Sequence, residues 1–120
     1  MNAAQLEKIV VAALEDIKGK NIEVINTAKL TPLFERIVIV SGDSNRQVRS
    51  LARSVEDKVR EAGGEILSTE GEDGGEWVLV DLGDVVVHIM QPAIRSYYNL
   101  EELWGGKGPA RVRKAASEAA

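Results

Sequence analysis

The sequence predicts an α/β domain, a mixed sheet of about five strands with flanking helices. Three observations carry that expectation. Residues 6–17 and 48–59 repeat apolar side chains at helical spacing. Ile37-Val38-Ile39-Val40 is β-branched on both faces, and 77–91 holds two apolar runs divided by Asp81-Leu82-Gly83-Asp84.

Leu6, Ile9, Val10, Ala13, Leu14 and Ile17 define an amphipathic helix from about Ala3 to Lys18. Asn2 can cap it with Gln5 three residues on, and Gly19 stops it. Ile22–Asn26 alternates and reads as a strand near an edge, after which Thr31-Pro32 breaks the path. Ile37–Val40 reads as a buried strand, because apolar residues on both faces require cover on both. Ser41-Gly42-Asp43-Ser44 leads straight into a second helix. Its stripe is Val48, Leu51, Ala52, Val55 and Val59, with Ser44 and Gln47 in capping-box spacing. Gly63-Gly64 ends that helix, and Glu65–Thr69 is a third strand. A strand–helix–strand unit implies that its two strands run parallel with a right-handed crossover.

Glu70–Glu76 is an acidic, glycine-rich loop. Trp77–Leu82 and Asp84–Gln91 then form a hairpin, in which Asp81 and Asp84 flank a two-residue turn and face each other. The second strand is central, since Val85–Met90 is apolar on both faces apart from His88. A short helical segment follows, stringing Arg95, Tyr97, Tyr98, Leu100, Leu103 and Trp104 together. Gly105-Gly106-Lys107-Gly108-Pro109 is a linker. The sequence thus divides into one domain, 1–104, and a flexible, basic, Ala-rich tail, 105–120.

Composition narrows the function. A chain of 120 residues supports one domain with one core. With no cysteine there is no disulfide framework and no thiolate chemistry. No apolar run approaches the ~20 residues that span a bilayer. Acids inside the N-terminal apolar stretch exclude a secretory signal, and the lack of cysteine is compatible with a cytoplasmic setting. The net charge of −4 is uneven: 105–120 carries Lys107, Arg111, Arg113 and Lys114 against Glu118 alone. The body is therefore strongly acidic, which suits a basic protein partner and opposes a phosphate backbone.

Ser41-Gly42-Asp43-Ser44 stands where a helix N-terminus favours anions, but it lacks the lysine and glycine spacing of a phosphate loop, and capping accounts for Ser44. Asp81 and Asp84 without a third ligand make a poor metal site, so no metal and no cofactor are expected. His88 is the single histidine. Flanked by apolar neighbours, it reads as hydrogen-bonded packing. Aromatic residues are scarce, two Trp, two Tyr and one Phe, and all but the Phe lie within 77–104. Composition alone supports a core and an interface equally. The adjoining acidic loop tips Trp77 and Tyr98 toward an interface, whereas Trp104 at the segment's end reads as a staple.

The run Trp77-Val78-Leu79-Val80-Asp81-Leu82-Gly83-Asp84-Val85-Val86-Val87-His88-Ile89-Met90-Gln91 closely resembles the ribosomal silencing factor family, RsfS, also called Iojap. Arg95, Tyr98, Leu100, Glu101, Leu103 and Trp104 continue its pattern. Ser41-Gly42, Ser44, Arg46 and Val48 match its second motif, and Glu70-Gly71-Glu72 its acidic loop. The resemblance implies binding to the large ribosomal subunit through ribosomal protein fourteen, which blocks small-subunit docking and lowers translation when nutrients are short. It implies a nucleotidyltransferase-like fold lacking the catalytic carboxylates, since Asn45, Arg46 and Gln47 stand at their place. Catalysis is therefore not expected, with a residual nucleotide-binding enzyme as the competing reading.

Carried over by position, the partner-binding set is Trp77, Leu82, Asp84, Arg95, Tyr98 and Glu101. Gly42, Ser44, Gly83, His88 and Trp104 take structural roles. A homodimer is compatible with the family, and contact of the tail with ribosomal RNA is a further option. Two positions depart from the pattern. Glu35-Arg36 stands where an acid and an aromatic residue are common, and Asn26 replaces a frequent aspartate.

Overall fold

The computed structural model describes residues 1–105. Apart from Gly105, the tail expected at 105–120 lies outside them. The elements are α1 (Ala3–Asp16), β1 (Lys20–Asn26), β2 (Arg36–Ser41), α2 (Asn45–Glu61), β3 (Ser68–Glu70), β4 (Trp77–Asp81), β5 (Val85–Met90), α3 (Pro92–Tyr98) and α4 (Leu100–Gly105). They form a five-stranded mixed sheet in the order β1-β2-β5-β4-β3. The α/β expectation holds, with β1 at an edge and β5 in the centre.

β2 and β5 are the parallel pair, and every other pairing is antiparallel. β3 consequently runs in the same direction as β2, as the strand–helix–strand pattern implied, but β5 and β4 lie between them. β3 is also shorter than the sequence suggested. Leu67 is exposed, and its N–H still joins the ladder at Asp81 O, 2.8 Å.

Alternation along the strands sorts the core into two layers. Val38, Val40, Val78, Val80, Val85, Val87 and Ile89 point to the face covered by α1 and α2, where Leu14, Val48, Leu51, Val55 and others close the main core. Ile25, Ile37, Ile39 and Met90 point to the opposite face and meet Phe34, Trp77, Ile94, Leu100 and Trp104.

The helix ends explain themselves. Asn2 and Gln5 complete the expected capping box on α1. On α2 only half of one forms: Ser44 Oγ accepts the Gln47 N–H at 3.1 Å, while Gln47 Oε1 accepts from Asp43 N at 2.7 Å. The Gln47 amide has further work to do, because its Nε2 donates to the carbonyls of Ile17 and Lys18, both at 3.3 Å, tying the end of α1 to the start of α2. Of the two departures from the family pattern, Arg36 pairs with Glu7 of α1 at 2.9 Å, and Asn26 Oδ1 accepts the Ala28 N–H at 3.0 Å.

The hairpin differs from expectation by one residue. Asp81 pairs with Val86, and Leu82 N–H donates to Val85 O at 2.9 Å, so the loop proper is Gly83-Asp84. Gly83 has φ of 91° and Asp84 a negative φ, the pattern of a type II′ turn with glycine first. Asp81 and Asp84 therefore do not face each other. Asp81 Oδ1 accepts the Gly83 N–H at 2.9 Å, and the Asp84 carbonyl accepts from Glu35 and Arg36 at 2.8 and 3.0 Å.

Candidate functional site

α3 and α4 cover only part of the second sheet face. α4 lies against β1, and the β4–β5 side is left with Trp77, Leu79 and His88 only partly buried. Here the aromatic residues converge. The β4–β5 register sets Trp77 opposite Met90 and Leu79 opposite His88, so Trp77 and His88 are diagonal neighbours on one face. The Trp77 indole Nε1 donates to His88 Nδ1 at 3.1 Å. Its ring lies 4.8 Å from that of Tyr98, and Tyr97 meets Tyr98 edge-on at 5.0 Å. Tyr98 is 51% exposed and Tyr97 81%. A shallow cleft of about 300 Å³ runs beside them, lined by Glu70, Gly71, Trp77, Leu79 and His88.

The acidic loop is built to place Trp77. Arg49 Nε and Nη2 donate to the carbonyls of Glu72 and Asp73, each at 2.8 Å, clamping the loop to α2. Gln91 adds its Nε2 to Gly75 O at 3.2 Å and to Asn45 Oδ1, and its N–H to Glu76 O at 2.9 Å. Gly71, at φ 89°, passes so close that a Cβ there would sit 2.1 Å from the Trp77 carbonyl oxygen. Gly71→Ala must therefore move β4 or the loop. It is expected to cost roughly 2 kcal/mol in chemical denaturation and to change the Trp77 fluorescence.

Burial lowers the His88 pKa from 6.5 to about 4. The folded chain thus refuses, between those values, a proton that the unfolded chain accepts. Stability contributed by neutral His88 is complete above about 6.5 and falls as the pH drops toward about 4. Paired denaturation series on wild type and His88→Asn should diverge in that window and run parallel above it.

The other residues expected at a partner surface lie elsewhere. Arg95 and Glu101 are sheltered, their side chains 11% and 13% exposed. Arg95 Nε donates to Glu101 Oε2 at 2.8 Å and Nη1 to Ser41 Oγ at 2.9 Å, and Nη2 lies 3.9 Å from Glu23. They brace the helices against the sheet. The bracing depends on a break the sequence did not show: Asn99 adopts left-handed φ of 48° and splits the expected single segment into α3 and α4, turning Glu101 back to Arg95.

Leu82 is 6% exposed and points into the main core, so burial removes it as a contact. Asp84 is exposed, but it sits at the hairpin end, roughly 20 Å along the strand direction from the level of Trp77. Trp104 packs edge-on against Phe34 at 5.3 Å. Gly42 is buried under Val48 and donates to Met90 O at 3.0 Å, and Ser44 caps α2. The structure thus joins Trp77, Tyr98 and His88, and adds Tyr97, Leu79 and Glu70, which the sequence did not assign to the site. Tyr97 was visible in the aromatic string, but nothing in the sequence marked it as the most exposed of that string.

Asn45 and Gln47 are occupied in bracing Gln91 and the end of α1. Among the described residues no helix is long and apolar enough to cross a membrane.

Trp77 and the half-exposed Tyr98, tilted against each other beside an apolar cleft, mark the uncovered part of the sheet in an α/β domain. Comparison with known proteins specifies which. Residues 1–120 match the family described as "Ribosomal silencing factor during starvation". The ribosomal silencing factor RsfS of Chromobacterium violaceum is 56% identical over 116 residues, covering 97% of this chain and 95% of that protein. That of Bacillus subtilis is 41% identical over 105 residues, covering 88% and 89%. The crystal structure of a Chromobacterium violaceum protein, 54% identical, superposes with a TM-score of 0.87 over 97% of both chains. The chain belongs to the ribosomal silencing factor family, RsfS.

Proposed function

We propose that this protein binds the large ribosomal subunit through ribosomal protein fourteen and sterically blocks the small subunit, repressing translation under nutrient limitation in the cytoplasm. The observation that supports this most directly is the half-exposed Tyr98 ring packed against the partly buried Trp77 on the uncovered part of the sheet face. Trp and Tyr are enriched at interface centres because they bury large area with few rotatable bonds. The acidic loop at 70–76 suits a basic ribosomal partner. An interface of about 1,600 Å² in total is enough to hold a blocking domain in place, and no chemical step is required.

Co-sedimentation with separated ribosomal subunits tests the reading. Pelleting with the large subunit alone, together with impaired joining when both subunits are mixed, is the expected result. Pelleting with neither subunit overturns it. A homodimer and contact of the basic residues 107–114 with ribosomal RNA belong to the same proposal. Sedimentation velocity over a concentration series reads the first. The second predicts that deleting residues 105–120 flattens the salt dependence of subunit binding.

A further inference from the structure

The indole N–H of Trp77 can only donate, so its bond to His88 Nδ1 fixes the imidazole as neutral, with its hydrogen on Nε2. The same bond fixes the indole. Without it, Trp77 would be held by packing alone, against the cluster of Ile25, Ile37, Ile39 and Met90 and by ring contacts to His88 at 5.9 Å and to Tyr98 at 4.8 Å. We propose that His88 is a positioning residue of the binding surface, whose Nδ1 sets the rotation of the Trp77 indole and so presents the Trp77–Tyr98 pair to the partner. This rests on the reading of that pair as the binding surface.

The surroundings keep His88 in its accepting form. β2 sets Ile39 opposite it, β4 contributes Leu79, and its same-strand neighbours on that face are Val86 and Met90. Glu70 of β3 shares the cleft lining, and Tyr98 of α3 reaches it through Trp77. Asp81, the next same-face residue of β4, is engaged with the Gly83 N–H. Beyond β2, Glu23 and Arg95 engage each other. Burial alone moves the histidine, to about 4. Binding should therefore be level from mildly acidic to mildly alkaline pH, where an ordinary surface histidine would titrate.

Large-subunit binding and the Trp77 indole N–H resonance, with the Trp104 indole as internal reference, test the proposal together. His88→Leu removes the acceptor and is expected to weaken binding about tenfold. Its Trp77 indole proton should also exchange faster with solvent. His88→Asn places a carbonyl oxygen near the position of Nδ1 and should restore binding to within about threefold of wild type. In a Trp77→Phe background, which lacks the donor, His88→Leu should change binding by less than about twofold.

A folded His88→Leu that binds like wild type overturns the proposal, and so does an equal loss in both backgrounds. Should His88→Leu not fold, the wild-type Trp77 indole N–H must still show scalar coupling across its bond to His88 Nδ1, and the absence of that coupling overturns the proposal. Absence of wild-type binding would refute the ribosomal reading instead. Indole exchange in His88→Leu would then decide the positioning role by itself, with unchanged exchange as the contrary result.

Discussion

Arg95→Ala is expected to lower the unfolding free energy by about 3 kcal/mol, the range for removing one partner of a buried ion pair. The loss has three sources. Glu101 would keep its charge in a site where its side chain is only 13% exposed. Its Oε1 already has no hydrogen bond there among the described residues, so Oε2 would join it as an unsatisfied buried oxygen. Ser41, itself buried, would lose the donor that now satisfies its hydroxyl oxygen at 2.9 Å. Replacing Arg95 and Glu101 together by leucine should recover part of the loss, since the Glu101 charge then leaves the low-dielectric site while Glu23 and Ser41 still lose Arg95. Denaturant titrations of Arg95→Leu, Glu101→Leu and the double variant give the coupling directly. A cost below about 1 kcal/mol for Arg95→Ala would mark the contact as an ordinary surface pair.

Tyr98→Ala is expected to do the opposite, leaving the fold nearly intact while weakening large-subunit binding by about 2 kcal/mol or more, roughly thirtyfold. Tyr98 is half exposed, and α3 contains no fully buried residue, so little packing is lost. Its ring lies 4.8 Å from Trp77, and truncation would remove both its own contact area and the support of that indole. Unchanged affinity in a folded variant would take Tyr98 out of the interface. A lost fold would make it a core residue.

These contrary expectations for two residues of one short helix show where sequence reasoning reaches. Helices and strands were legible because burial imposes periods that residues 6–17, 48–59 and 85–90 display openly. The pairing of β2 with β5 was not, since strand order is a non-local property that no local pattern encodes. The turn was misplaced by one residue, with a large consequence: with Gly83 first in the turn, Leu82 falls on the core-facing side of β4. Arg95 and Glu101 are six positions apart, a spacing at which residues of a continuous helix are not neighbours. Only the left-handed Asn99 brings them together. Trp77 and His88 were both noticed in the sequence, but their hydrogen bond follows from the register, which fixes which residues of the two strands are diagonal neighbours.

The two layers of the core have a further consequence, for the order in which parts of the molecule open. The α1–α2 side is sealed by a large apolar cluster, whereas the opposite side has, among the described residues, a cluster of four buried residues, Ile25, Ile37, Ile39 and Met90, plus the Arg95 braces. Segment 92–105 should therefore detach at lower free energy than global unfolding, and its amides should exchange with deuterium sooner than those of β5. Each detachment carries Tyr98 away while Trp77 stays on the sheet, so the Trp77–Tyr98 contact exists only in the closed fraction. A partner that grips both rings would draw its affinity partly from closing that segment, and would slow amide exchange in 92–105 at positions it never touches.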